Sequence, residues 1–331
     1  MMMRKHLLIT AALLASLPMA AEAAWQPNRP IEFVVTSGAG GGTDNFARVV
    51  QAIIMKHKLV DQAIVVTNKG GGSGAEGFVY AKTQAKDPHK VTFGTNNEYL
   101  LPYVAKLGYK ASDLTPVAAM AVDEFLLWVN AGSPYKDAMS YINAAKEKPG
   151  TLKASGSQSK DTDHTLTAMI ESATGAKFIY VPFQGGNAAA VQLAGGHVDS
   201  NVNNPNENIG QWKAGAVRPL CVFSPTRLPG KDKVSGGMAW SDIPTCKEAG
   251  VPVDQFQMPR TVWLSGGVPQ EAVDFYIDVL KKVSETPEWK EWTERNLQTP
   301  RFLSGKALTD FFAADEAKNK QVLEAQGWIV K

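Results

Sequence analysis

Short apolar runs that favour β-strands alternate with segments of helical periodicity along most of the chain. The early runs are IEFVV at 31–35, AIVVTN at 63–68 and KVTFGT at 90–95. The alternation resumes with TLKAS at 151–155 and KFIYVPF at 177–183. Because strands that alternate with helices pair in parallel, this pattern predicts an α/β fold with mostly parallel sheets.

Two longer apolar stretches interrupt the alternation and predict two domains. VAAMAVDEFLLWVN at 117–130 precedes a new round of strands and helices, and RTVWLSGGVP at 260–269 follows a Pro- and Gly-rich region. We interpret both stretches as crossings of the chain between domains. The first domain would comprise 24–123 and 251–331, and the second 124–250. Two crossings would leave a ligand cleft between the domains.

The N-terminus has the three-part layout of a secretory signal peptide. Arg4 and Lys5 precede an apolar stretch at 7–17, and the small-residue sequence AEA follows at 21–23. This layout predicts export and cleavage after Ala23. A membrane anchor is the alternative, but the apolar stretch is too short to span a bilayer.

The net charge and the cysteines limit which ligands and sites the chain can have. The formal net charge of +2 over 331 residues provides no electrostatic reason to bind nucleic acid. Cys221 and Cys246 are the two cysteines, and in an oxidising compartment an even pair favours a disulfide over two buried thiols. The sequence has no Cys-x-x-Cys or His-x-x-x-His spacing, so we predict no metal site.

Three predicted helices each follow a loop of small or polar residues. The loops are SGAGGGTDN from Ser37, SGSQSKDTD at 155–163 and QGGN at 184–187. Free amides and the positive end of the dipole make a helix start an anion site. Capping alone explains any one loop. Three such loops in one chain favour a shared anionic ligand.

The sequence lacks most of the motif residues that nucleotide binding and serine catalysis require. A dinucleotide fingerprint needs a glycine where this chain has Thr43, and no phosphate-binding G-x-x-x-x-G-K-[ST] motif is present. Ser157 and Lys160 form S-x-x-K, but the companion motifs S-D-N and K-T-G are absent. We therefore predict a protein that is not an enzyme and needs no cofactor. An exported serine hydrolase or acyltransferase remains the alternative.

The order of these motifs resembles the tricarboxylate-transport receptor family (TctC, or Bug proteins), the periplasmic substrate-binding components of tripartite tricarboxylate transporters. The similarity runs from about Trp25 to the C-terminus and includes VVTNKGGGSGAEGFVYAK, PFQGGNAAAVQLAGGHVD and AGAVRPLCVFSPTRLPG. It implies a periplasmic, monomeric, two-domain Venus flytrap of type II-like form. Such a receptor closes around a small organic acid and delivers it to membrane transporter subunits. A sensor that presents its ligand to a receptor kinase is the alternative.

The resemblance implies ligand-binding positions in four segments. They are Ser37, Gly40, Gly41, Gly42, Thr43 and Asp44 in the first loop, Asn96 and Asn97 after the third strand, Ser155, Gly156, Ser157 and Ser159 in the second loop, and Phe183, Gln184, Gly185, Gly186 and Asn187 in the third.

This chain departs from the family pattern in the third loop and has an acid in the first. Phe183 and Gln184 replace the usual tyrosine and lysine, which removes a cation. It is therefore open whether the ligand is a dicarboxylate, a tricarboxylate, an aromatic acid or a neutral compound. Asp44 would repel an anion unless water or a ligand donor lies between them. Alternatively, Asp44 is an acidic residue in the first turn of the helix, where it interacts favourably with the helix dipole.

Overall fold

The computed structural model describes residues 25–330, so the predicted signal peptide lies outside the described residues. It has two mixed β-sheets and a small hairpin. The strands are β1 (Ile31–Val35), β2 (Ile64–Asn68), β3 (Lys90–Gly94), β4 (Leu114–Glu124), β5 (Leu126–Asn130), β6 (Lys153–Ser157), β7 (Ile179–Phe183), β8 (Ser200–Asn203), β9 (Val217–Val222), β10 (Lys233–Ser235), β11 (Met238–Ala239), β12 (Gln257–Ser265) and β13 (Thr299–Leu303).

Ten α-helices of the described chain cover the sheets. They are α1 (Gly42–Lys56), α2 (Ala75–Thr83), α3 (Asn97–Val104), α4 (Ala138–Glu147), α5 (Thr162–Thr174), α6 (Gly186–Ala194), α7 (Pro205–Lys213), α8 (Gln270–Glu285), α9 (Pro287–Arg295) and α10 (Gly305–Ala325). No helix among residues 25–330 is long and apolar enough to cross a membrane.

The first sheet has the strand order β13-β4-β12-β3-β1-β2. One of its faces is covered by α1, whose apolar positions recur every three or four residues. Phe46 and Ile53 on that face are buried with Trp289 of α9 and with the strand residue Phe93. This packing places the start of α1, and therefore the glycine-rich loop, at the carboxyl end of β1.

The second sheet has the order β7-β6-β8-β5-β9. Its strands come from one continuous part of the chain, residues 126–222. Helix α5 packs Leu166 and Ile170 into the core on one face, and Trp128 is buried on the other. The second and third loops follow the parallel strands β6 and β7, so both reach the same edge of this sheet.

The α/β prediction is confirmed, but the expectation of mostly parallel sheets is wrong. Strands β1, β2 and β3 pair in parallel, as do β6, β7 and β8. The strands that carry the chain between sheets are antiparallel to their neighbours: β12 pairs with both β3 and β4, and β5 with both β8 and β9. The physical reason is that the chain leaves the first sheet along β4 and returns along β12, in the opposite direction.

The two crossings lie side by side. β4 and β5 belong to different sheets and are separated by the single residue Phe125. The end of β4 pairs with the start of β12, with Glu124 opposite Gln257 and Asp123 opposite Met258. Both connections between the sheets therefore pass through one narrow region.

Cys221 and Cys246 form a disulfide whose Cα atoms are 4.8 Å apart. Both cysteines are fully buried in the core of the second sheet. The bond anchors the irregular segment after β9, and a backbone hydrogen bond of 2.8 Å from Cys246 to Val222 adds to this anchor. The disulfide therefore closes a loop that contains the β10–β11 hairpin.

Candidate functional site

A cleft of about 710 Å³ lies between the two sheets and is lined by loops from both of them. It contains eleven of the seventeen ligand-binding positions implied by the family resemblance. These are Ser37, Gly40, Gly41, Gly42, Thr43, Asn97, Ser157, Gln184, Gly185, Gly186 and Asn187. All three glycine- or serine-rich loops therefore reach one cavity.

The other six predicted positions do not line the cleft. They are Asp44, Asn96, Ser155, Gly156, Ser159 and Phe183. The Ser155 hydroxyl is fully buried and donates to the Ser200 carbonyl at 3.0 Å. Phe183 packs against the core around Trp128, and Ser159 points to solvent. Strand residues alternate between faces, so only part of each segment can reach the cleft.

Asp44 holds the first loop together. One of its carboxylate oxygens accepts from the Gly40 amide at 2.8 Å, and the other from the Asn68 side-chain amide at 3.0 Å. Arg48, one turn along α1, donates to both oxygens at 2.9–3.0 Å. Burial alone would raise the pKa of Asp44, but the hydrogen bonds from Arg48, Gly40 and Asn68 outweigh it and lower the pKa. The geometry is that of a buried structural carboxylate.

The second loop also holds carboxylates of this chain. Asp163 accepts from the Ser157 amide at 2.6 Å, and the Ser157 hydroxyl lies 2.6 Å from Asp161 and 2.9 Å from Asp163. Burial raises the pKa of Asp161 to about 7, and burial and then the charge of Asp161 raise the pKa of Asp163. Both aspartates line the cleft, although the sequence analysis did not assign them to it.

Glu207 of α7 lies against the third loop. A Cβ built on Gly186 would collide with the Glu207 carboxylate, so only glycine leaves room for it there. One carboxylate oxygen accepts from the Asn204 amide at 3.2 Å, which closes a capping box at the start of α7. Burial and then the charge of Asp163 raise the pKa of Glu207 to about 8.

Arg260 of β12 is the one basic residue among the described residues that line the cleft. Its side chain is 3% exposed and forms a buried ion pair with Asp123 of β4. It also donates to the Thr43 hydroxyl at 3.1 Å. A Cβ on Gly42 would lie 2.6 Å from the Arg260 guanidinium. The glycine at this position therefore allows the first loop to rest directly on a cation.

Sequence reasoning missed Arg260 and Glu207, although each carried a local signal. Arg260 is a charged residue within the apolar strand MPRTVW, and a charge in such a strand is buried only when it has a partner. Glu207 stands three residues after Asn204, which is the spacing of a capping box. Neither signal indicates which loop the side chain faces.

Hydrogen bonds cross the cleft between the two sheets. Thr162 at the start of α5 donates to the Asn96 side chain at 3.1 Å. Ser73, from the loop before α2, donates to the side chain of Gln158. These contacts hold the two walls together at one end of the cavity.

The cleft is lined by polar and charged groups. Among residues 25–330, no group of three or more His, Cys, Asp and Glu side chains is placed to hold a metal ion. Within the same residues, the side-chain partners of the Ser157 hydroxyl are Asp161 and Asp163. The cleft therefore has donors, acceptors and charges without a serine–histidine or serine–lysine contact.

Asp44→Asn tests the structural role of the first-loop acid. We expect the free energy of unfolding at pH 7 to fall by about 2 kcal/mol, because hydrogen bonds to an ionised carboxylate are lost. The native pKa of Asp44 is lowered, so its stabilisation is present above the ordinary aspartate pKa and is lost as the pH falls through the native value. Urea titrations at pH 7 and pH 3 measure both effects, with the exposed Asp310→Asn as control. Equal stability of Asp44→Asn and wild type at pH 7 would contradict this role.

This chain resembles known proteins over most of its length. A model of the receptors of the tripartite tricarboxylate transporter family, TctC, matches residues 46–328. The UPF0065 protein in the gbd 5' region of Cupriavidus necator is 28% identical over 324 residues, which cover 96% of this chain and 94% of that protein.

Solved structures agree with this match. The structure of R. palustris Rpa4515 with adipate has a TM-score of 0.80 at 26% identity, and covers 91% of this chain and 98% of that one. The periplasmic binding protein BugD shares the fold, with a TM-score of 0.80 at 21% identity over 92% of this chain and 100% of BugD. The predicted binding-protein fold and the resemblance found in the motifs are both confirmed. This chain belongs to the TctC family of tripartite tricarboxylate transporter receptors.

Proposed function

We propose that this protein is a monomeric periplasmic receptor that binds a small organic acid in its cleft and delivers it to the membrane subunits of a tripartite tricarboxylate transporter. Membership of the receptor family and the adipate in the R. palustris relative support this function. The observation that carries it is the convergence of three helix-start loops on one cavity of about 710 Å³.

The first loop offers the best position for a carboxylate. Among the described residues, the amides of Gly42 and Thr43 donate no hydrogen bond to the protein. They are first-turn amides of α1 and point along the positive end of its dipole. The Arg260 guanidinium lies close to Gly42, so a ligand carboxylate at this loop would meet two amides near a buried positive charge.

The site supports binding rather than serine catalysis. A serine nucleophile needs a base that can accept its proton and a third group that orients the base. Within the described residues, the side-chain partners of the Ser157 hydroxyl are two aspartates rather than a histidine or a lysine, and Lys160 does not line the cleft. We therefore propose that the protein is not an enzyme.

Gly42→Ala should weaken binding of a C4 to C6 dicarboxylate by about tenfold or more, because the new Cβ would displace the Arg260 guanidinium. Gly38→Ala is the matched control on the same loop, since a Cβ there meets nothing within 4 Å. Calorimetric titration of both variants, with thermal unfolding to confirm the fold, measures the effect. Equal affinity of folded Gly42→Ala and wild type would mean that this loop does not hold the carboxylate.

We also propose that residues 24–123 and 251–331 move against residues 124–250 when the ligand binds. The adjacent crossings at β4 and β12, through which both connections between the sheets pass, support a hinge there. Small-angle scattering should show a smaller radius of gyration with saturating ligand. An unchanged radius at saturation would contradict domain closure.

Delivery to a membrane partner distinguishes a transport receptor from a sensor for a receptor kinase. In proteoliposomes with the large and small membrane subunits of a tripartite tricarboxylate transporter, labelled ligand should accumulate only when the receptor is added. Gly42→Ala should reduce that uptake in proportion to its loss of binding. Uptake that is independent of the receptor, despite tight ligand binding, would favour the sensor.

A further inference from the structure

Each of the three loops that could bind an anion already holds a carboxylate of this chain. Asp44 accepts from Gly40 in the first loop, Asp163 accepts from Ser157 in the second, and Glu207 lies against Gly186 in the third. The donors of the second and third loops are therefore partly satisfied or covered by negative charge. A ligand made only of carboxylates would meet repulsion on this side of the cleft.

The positively charged side chains near these acids already form ion pairs. Arg260 is in a buried ion pair with Asp123, and Arg48 is bonded to Asp44. Asp161, Asp163 and Glu207 also line the cleft, and we call these three residues the acidic pole. No lysine of the described chain lines the cleft.

Asp163 has an unused acceptor that faces this cavity. Its side chain is 5% exposed and lines the cleft, and within residues 25–330 both hydrogen bonds to it end on the same oxygen, Oδ2. Glu207 likewise accepts through Oε2 and lines the cleft. Two carboxylate oxygens are therefore left for a donor that the protein does not supply.

Asp161 and Asp163 share a single hydroxyl donor. The Ser157 hydroxyl lies within 2.9 Å of both carboxyl groups, and it has one hydrogen to donate. A positively charged donor on a ligand would supply hydrogen bonds that this single hydroxyl cannot.

We propose that the ligand is zwitterionic, with a protonated amino group at the acidic pole of Asp161, Asp163 and Glu207 and a carboxylate at the first-loop amides of Gly42 and Thr43. This inference rests on the proposed function and specifies its substrate class. The first-loop amides and the carboxyl groups of the acidic pole would then take the two charges of the ligand. Buried carboxylates remain unfavourable without such a partner.

The proposal predicts that protons are released on binding at pH 7. Burial raises the pKa of Asp161 to about 7 and that of Glu207 to about 8, and an ammonium group beside them would lower both pKa values. The other groups that face the pole are Arg260 on β12, Asp123 on β4 and Tyr180 on β7.

Three ligands with the same six-carbon chain test the proposal on the purified full-length mature protein. They are adipate, 6-aminohexanoate and 1,6-diaminohexane, each accompanied by its four- and five-carbon homologues. We expect the amino acid of the best chain length to bind at least about tenfold more tightly than the matching diacid. Calorimetry in two buffers of different ionisation enthalpy should show release of protons. Proton uptake with the amino acid would overturn the inference.

Isosteric variants assign the effect to the acidic pole. Asp163→Asn and Glu207→Gln should each weaken amino-acid binding by about tenfold and leave diacid binding equal or tighter. They lie on different helices, α5 and α7, so a folding failure in one leaves the other as a test. Asp310→Asn on exposed α10 is the control. Amino-acid affinity that is unchanged in a folded pole variant would overturn the assignment.

The ligand series separates this inference from the proposed function. Diacids that bind as tightly as the amino acids would overturn the zwitterion and support the carboxylate receptor. Binding of the diamines alone would overturn the carboxylate and support the acidic pole. Binding of none of the three classes would overturn both.

Discussion

The buried ion pair between Arg260 and Asp123 joins the parts on which the cleft depends. Asp123 is at the end of β4 and Arg260 near the start of β12, so the pair links the two crossings between the sheets. The Gln298 side chain also donates to Asp123, and the Arg260 guanidinium supports the first loop through Thr43. Removing either charge would leave the other buried and unpaired, which costs about 3–5 kcal/mol.

This geometry changes how the glycine-rich loops are understood. Small residues in the first and third loops leave room for side chains of the protein itself: Arg260 beneath Gly42 and Glu207 against Gly186. The amides of Gly42 and Thr43 are left to face the cavity. The small residues of the loops therefore leave backbone donors free at the cleft and make room for charged side chains that contact the loops.

Local sequence patterns predicted the features that depend on residues close together in the chain. Helical periodicity after the strands predicted the helices, and three loops at helix starts were expected to share one ligand, which agrees with their convergence on one cleft. Contacts between distant residues could not be predicted in this way. Arg260 reaches Thr43 across 217 positions, and Asp163 and Glu207 lie on separate helices. The antiparallel crossing strands escaped prediction for the same reason, because apolar runs do not show strand direction.

The order of strands along the chain has a consequence for how the protein folds. The second sheet is complete once residues 126–222 are available, whereas the first needs β12 and β13 from the C-terminal part to fill the positions beside β3 and β4. Loop-closure entropy favours the continuous sheet as the earlier unit. Until β12 inserts, β3 and β4 present unpaired edges that can join other chains. The cleft, whose Arg260 is carried by β12, is therefore among the last features to form.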